Sequence, residues 1–394
     1  MTDWIRVKLS DCLARVERPV NVVQDKHYTQ IGIRSHGKGV FHKESVTGEE
    51  LGNKAVYWVE PDCFVLNIVF AWEQAIGKTT ASEAGMIASH RFPMYRPKKE
   101  LIDIDYLIYF FMTKRGKDVL EAASPGGAGR NRTLGQNTFL NSNIVLPPIT
   151  EQRKIAAILS AQDRIIELKT KLLEEKKRLK KYLCQLIMGG NKIKLARGYS
   201  VRLLSSITKK KLIKNKDLKY SVVLSNSAKY GIVPQNVQFD KNIAKEENID
   251  RYYVAEIGDF IYNPRISTSA PCGPINQNDC CDGVVSPLYT VFSCSAECVC
   301  DKYLKYYFQT SLWHEYIQSV ANTGARYDRM NVSDKDFFSM AINLPPLNTQ
   351  RQCVVLLDAF SNVIKLMEEN LEQEKLKKKA LMQQLLTGKI RVKV

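Results

Sequence analysis

The 394-residue chain lacks most of what marks a membrane, secreted or catalytic protein. No uninterrupted apolar run approaches the roughly 20 residues that a bilayer-spanning helix needs. The opening MTDWIRVKLSDCL lacks the charged, apolar and small-residue order of a secretory signal, so a cytoplasmic location without membrane contact is expected. None of the five histidines stands at metal-ligand spacing. The ten cysteines form no CxxC pair. Cys12, Cys63, Cys184 and Cys353 sit in apolar patterns, where a reduced thiol acts as a small hydrophobe. The cluster Cys280, Cys281, Cys294, Cys298, Cys300 has no ligand histidine nearby, so free thiols are expected there rather than zinc. Catalytic strings are missing too. No Asn-Pro-Pro-Tyr motif is present, and NPRI at Asn263 is the nearest approach. AIGKTT imitates the end of a phosphate-binding loop, but Trp72 stands where the first glycine is required. PDCF at Pro61 is not followed by the Glu-x-Lys of a nuclease centre. No catalytic residue, metal or cofactor is assigned to this chain.

What the chain has in excess is positive charge. With 58 basic and 41 acidic residues the net charge is +17, which favours a polyanionic partner. Residues 150–194 and 345–394 carry +7 and +4, whereas the two larger segments carry +3 each. Lysines solvating the outer faces of long helices would leave the same trace.

Those two short segments open alike. LPPITEQRKIAAILSAQDRIIELK from Leu146 answers LPPLNTQRQCVVLLDAFSNVIKLM from Leu344, and the repeat reaches back through the whole chain. IDYLIYFF (Ile104 to Phe111) answers DKYLKYYF (Asp301 to Phe308). EPDCFVLN ending at Asn67 answers EIGDFIYN ending at Asn263, and Tyr28 to Phe41 answers Tyr220 to Val233. Two halves in tandem follow, each a strand-rich domain of mixed sheet and helix and then one long helix after a Pro-Pro break. In the second long helix Leu357, Phe360, Ile364, Met367, Leu371, Leu381 and Leu385 keep 3 and 4 spacings, interrupted by Glu374 and Lys378. In the first, Ile158, Ile165, Leu172, Leu179 and Leu186 repeat every seven, flanked by Leu159, Ile166, Leu173 and Ile187. Such stripes ask for a partner helix, and the other copy is the nearest candidate. The expected class is α+β: two domains joined by two long antiparallel helices in a coiled coil, as a pseudo-twofold tandem repeat. The expected boundaries are 1–147, 148–195, 196–344 and 345–394.

With the LPP…Q entries and the LMQQLLTGK exit, essentially the whole chain resembles the specificity (S) subunit of type I restriction-modification systems. The second copy departs from the family's Glu-Gln helix start, carrying Thr349-Gln350. The resemblance implies two target-recognition domains that read a bipartite, asymmetric site in double-stranded DNA, with helix length setting the gap. It also implies docking of two modification (methyltransferase) subunits around Gln152-Arg153 and Gln350-Arg351. In the larger complex two restriction (motor-nuclease) subunits join. S-adenosylmethionine, ATP and Mg are then expected on those partners.

Three loops per half join a glycine-permitted backbone to side chains that reach phosphates and base edges. The first gives Arg34, Ser35, His36 and Lys38, matched by Asn226, Ser227, Lys229 and Tyr230. The second gives Gln74, Lys78, Thr79 and Thr80, matched by Arg265, Ser267, Thr268 and Ser269. The third gives Arg130, Asn131 and Arg132, matched by Arg326, Tyr327, Arg329 and Asn331. An ordinary polar turn accounts for any one of these residues equally well. Two rival readings stay open at this stage: a coiled-coil adaptor binding protein partners, and the specificity half of a system that only methylates.

Overall fold

The computed structural model describes residues 4–52, 54–126, 132–189, 198–235, 246–322 and 328–393, without the side chains of Lys99 and of residues 246–248. Contacts divide the chain into two compact units, Met1–Thr170 with Asn370–Val394, and Lys171–Glu369. Each unit therefore takes part of both long helices, so the division runs through the helices rather than at their ends.

In the first unit the strand Ile5–Lys8 pairs antiparallel with Asn143–Leu146. A four-stranded sheet follows in the order Leu13–Val16, Met94–Pro97, Phe64–Leu66, Ile76–Lys78. Phe64, Val65 and Leu66 are all buried, because this strand is covered on both faces. A second sheet holds the hairpin His27–Ile33 and Val40–Thr47 together with Ile87–Ser89 and Val56–Trp58, joined by one parallel bridge, Gln30 to Ile87. Phe64, Phe111, Phe139 and Tyr95 form an aromatic centre with ring centroids 5.4–6.3 Å apart. The helix Ile104–Phe111 seals it, capped by Asp103, which accepts a hydrogen bond from Tyr106 N at 2.9 Å.

The second unit repeats this plan strand for strand. Ser200–Leu203 pairs with Ala341–Leu344, and the four-stranded sheet runs Thr208–Lys211, Thr290–Cys294, Phe260–Tyr262, Ile275–Gln277. Even the parallel bridge has its counterpart, Val223 to Val284. Phe260, Phe292, Phe308 and Phe337 make the aromatic centre under the helix Asp301–Phe308.

After each Pro-Pro pair, which ends the strand ladder, a long helix begins: Ile149–Met188 (40 residues, the central helix) and Leu347–Leu385 (39 residues, the closing helix). Within the first unit they run antiparallel. Glu151 meets Arg391, Gln162 Nε2 donates to Glu374 Oε2 at 2.7 Å, Asp163 pairs with Lys378 at 2.5 Å, and Lys169 pairs with Glu374 at 2.5 Å. Within the second unit Lys177 pairs with Glu368 at 2.8 Å, and Cys184 and Met188 share a core with Val354 and Leu357. The apolar series named for the closing helix is the seam, and Glu374 and Lys378 interrupt it because they meet polar groups of the central helix. On the central helix the expected series is displaced by one residue. Leu172 is 51% exposed and Ile165 and Leu179 are exposed as well, while Leu159 and Leu173 (5%) are buried with Gln162.

Each unit fastens its own helix to this pair with the same three side chains. Tyr109 donates to Asp163 Oδ2 at 2.7 Å, with Lys378 Nζ 5.7 Å above its ring. Tyr306 donates to Asp358 Oδ1 at 2.6 Å, with Lys180 Nζ 5.5 Å above its ring. The two long helices exchange roles between the units.

Candidate nucleic-acid interface

The three loops of the second half converge. Pairing of Leu224–Ser227 with Gly231–Pro234 presents Lys229 and Tyr230 at a tight turn, whose amides donate to Ser227 Oγ at 3.3 Å. The loop after Tyr262 carries Arg265 and Ser267, and a backbone bridge joins Arg265 to Arg329 of the third loop. Together they line a groove of about 520 Å³, with Ser225, Ser286, Tyr252 and Tyr289 completing its walls. Three cations, Lys229, Arg265 and Arg329, enter it; among the described residues no carboxylate lines it, although Asp328 stands 3.7 Å from Arg265 and 3.5 Å from Arg329. Ser269 lines it as well, with Ser267 Oγ 3.3 Å from Ser269 Oγ, and Thr268 is exposed beside it. Asn226 is a correction. Although it lines the groove, it is buried, its amide donates to Ile261 O (2.6 Å) and Pro274 O (3.0 Å), and its carbonyl accepts from Asn276 (2.7 Å), so its side-chain polar groups are spent on fixing the hairpin to the sheet.

In the first unit the loops gather on the short turn Ala71–Glu73. Ser35 Oγ donates to Glu73 Oε2 at 2.9 Å, the amides of His36 and Gly37 donate to Glu73 O and Gln74 O, and the Arg132 guanidinium lies 5.6 Å from the Trp72 ring. His36, Gly37 and Gly39 adopt φ of 61°, 63° and 74°, and a Cβ on Gly37 would fall 2.1 Å from Met112 Sδ, so glycine is required at that tip. Arg34 lies over the Phe41 ring at 4.6 Å, and Lys38 is exposed. His36 also lines a separate groove of about 670 Å³ beside Asp105, Arg153 and Lys378.

The second loop of the first half lies elsewhere than its matched residues Lys78, Thr79 and Thr80 imply. Phe64 pairs with Lys78 where Phe260 pairs with Gln277, so the structural counterparts of Arg265 to Thr268 lie in the loop 67–75, with Phe70, Trp72 and Glu73, and not after Gly77. The shared Asn67 and Asn263 could have located it, but an aromatic loop does not resemble a basic one. Thr79 is fully buried, donating to Glu60 O at 2.6 Å and accepting from Cys63 N at 3.0 Å, and is a correction. Lys78 pairs with Asp105 at 2.8 Å. Burial opposes its charge, but Asp105 and Asp62 outweigh this and raise its pKa, so its charge is already met. Gln74 donates to Phe111 O at 2.8 Å, and Thr80 caps the turn Ala81–Glu83. Arg130, Asn131, Arg326 and Tyr327 lie outside the described residues.

At the helix starts the expected docking glutamines are a further correction. Gln152 is buried: its Oε1 accepts from Asp103 N (3.0 Å), and its Nε2 donates to Leu101 O (2.9 Å) and Pro147 O (2.8 Å). Gln350 is buried likewise, accepting from Cys300 N and donating to Pro345 O, both at 2.9 Å. Each ties a long helix to the cap of its own unit's helix. Arg153 and Arg351 are exposed, Arg153 lying 3.7 Å from Glu100. Thr349 stands where the first copy has Glu151, and Glu151 is used only once: Arg391 holds it with two hydrogen bonds of 2.7 and 2.8 Å, lowering its pKa.

Burial, then Asp301, pushes the Cys294 thiol up to about 12, and among the described residues no three His, Cys, Asp or Glu side chains converge as a metal ion requires. Among the described residues no helix is long and apolar enough to cross a membrane.

Compared with known proteins, residues 53–178 and 204–376 both match the type I restriction modification DNA specificity domain. The chain is 23% identical, over 425 aligned positions, to the type I restriction enzyme MjaVIII specificity subunit of Methanocaldococcus jannaschii, covering 99% of this chain and 94% of that one. The fold is similar to the HsdS subunit from Thermoanaerobacter tengcongensis (TM-score 0.57, 17% identity, 99% and 98% covered). It is also similar to a chain from a structural study of complex assembly and conformational transition in the type I R-M system (TM-score 0.65, 16% identity, 98% of each covered). With two matched domains and one topology used twice, the chain belongs to the family of type I restriction-modification DNA specificity subunits.

Proposed function

We propose that the two units of this specificity subunit read the two halves of a bipartite, asymmetric site in double-stranded DNA, and that the paired helices set the gap between them. The chain has no catalysis of its own on this reading. Methylation and cleavage, with the S-adenosylmethionine, ATP and Mg they need, belong to partner chains. The observation that carries the proposal is the groove of the second unit, where three loops distant in sequence bring three cations and several hydroxyls to one surface free of lining carboxylates among the described residues. An adaptor gripping protein partners has no need of that charge.

Docking moves from the glutamines to an apolar row. Ile165 and Leu168 (49% exposed) on the central helix stand where Val363 and Leu366 (64% exposed) stand on the closing helix. Exposed apolar rows on a soluble helix mark a surface that another protein covers. One row in each unit suits two copies of the same modification subunit, with two motor-nuclease subunits joining in the larger complex.

The test is sequencing of methylated adenines in cells carrying the system. One bipartite motif should vanish when this chain is deleted. Four residues inserted after Leu173 should lengthen the gap and leave both half-sites as they were. Altered half-sites, or no bipartite motif at all, would overturn the proposal.

A further inference from the structure

The groove of the second unit holds two arginines in unlike surroundings. Arg265 stands at the rim with 68% of its side chain exposed, its guanidinium 3.7 Å from Asp328. Arg329 lies deeper, 24% exposed. Its Nε is buried and makes no hydrogen bond, the Asp328 Oδ1 atom lying 3.5 Å away. The backbone beneath is fixed on both sides: Met330 N donates to Pro264 O at 2.9 Å, and Ile266 N donates to Asp328 O at 3.0 Å. The ion pair with the Asp328 carboxylate partly meets the Arg329 Nε donor and holds the guanidinium in one orientation where it lines the groove. A planar guanidinium on a fixed backbone suits two adjacent acceptors at set positions. Ser225, Ser267, Ser269 and Ser286 line the same groove with short side chains, leaving width for a base edge. The rim arginine, solvated and weakly held, suits a phosphate, which every sequence offers.

We propose that Arg329 reads a guanine in the half-site taken by the second unit, donating to its O6 and N7 acceptors, while Arg265 neutralises a neighbouring phosphate. This rests on the DNA-reading function proposed above, and the test separates the two. The full chain, assembled with its modification subunits, is given a library of DNA sites randomised over both half-sites. Bound and methylated sequences are then read at two salt concentrations. Arg329→Ala should reduce the preference for guanine at one position of one half-site by about five- to hundredfold, and leave the other half-site unchanged. Arg329→Gln, whose amide matches adenine, should move the preference at that same position towards adenine, and it carries the test should the alanine variant fail to fold. Arg265→Ala should weaken all sequences alike and lower the salt dependence by about one phosphate. An even loss across all sequences on changing Arg329, or relaxation at a position that is not guanine, overturns the assignment while leaving DNA reading in place. A wild-type complex without any sequence preference would remove the function itself.

Discussion

Gln152 and Gln350 show how one residue type, at one place in a repeat, does structural work that a surface reading would miss. Each satisfies the amide of a helix-capping residue, Asp103 N or Cys300 N, with its carbonyl, and returns a donor to the proline pair behind it. Removing a buried partner leaves backbone groups unmet, at about 1–3 kcal/mol for each group. Gln152→Ala and Gln350→Ala should therefore each lower stability by at least about 1–3 kcal/mol, measured by denaturant melts of the full chain. Arg153→Ala, on an exposed side chain one residue along, should change it by less than about 0.5 kcal/mol. Equal effects from the two neighbours would contradict the buried hydrogen bonds. Thr79 and Asn226 belong to the same lesson. Polar residues in glycine-rich loops look alike in sequence whether they face a ligand or complete their own backbone, and only the strand register separates the two.

Between elements, the antiparallel seam was half legible. On the closing helix the row that Glu374 and Lys378 interrupt is the one turned to the central helix, while Val363 and Leu366 stand exposed on another face. On the central helix two adjacent rows are both apolar, and hydrophobicity alone cannot choose between them. Gln162 and Lys169 make the choice, through partners on the other helix that lie more than 200 residues away in sequence. Leu173→Ala should cost about 2–5 kcal/mol as a buried seam position, while Leu172→Ala, mostly exposed, should cost well under 1 kcal/mol. Thermal melts of the two variants check this, and a reversed order would move the seam. The repeated topology itself was readable because equivalent segments keep their apolar pattern, such as Phe64 to Leu66 beside Phe260 to Tyr262. The loops between them were not, because the two halves fill equivalent turns with opposite chemistry: Phe70 and Trp72 in one, Arg265 and Ser267 in the other.

For the molecule as a whole, the first unit is assembled from both ends of the chain and the second from its uninterrupted middle. The closing contact is local and charged. Arg391 grips the buried Glu151 carboxylate, Val392 N donates to it at 3.3 Å, and the guanidinium sits 5.9 Å from the Trp4 ring. Hydrogen bonding from Arg391 lowers the folded pKa of Glu151 below the ordinary value of 4.5. Its contribution is thus complete above about that pH and is lost as pH falls through the lower folded value. Glu151→Gln should cost about 1–3 kcal/mol at pH 7, and the gap to wild type should narrow on acidification below about pH 4.5, in melts taken across that range. A gap constant with pH would show that the carboxylate charge is not what holds the tail. The two glutamine anchors complete this view. Every atom they grasp is main chain, the amides of Asp103 and Cys300 and the carbonyls of Leu101, Pro147 and Pro345. Such a socket accepts any side chains around it, so the reading surfaces are free to be rewritten over generations while their fittings stay the same.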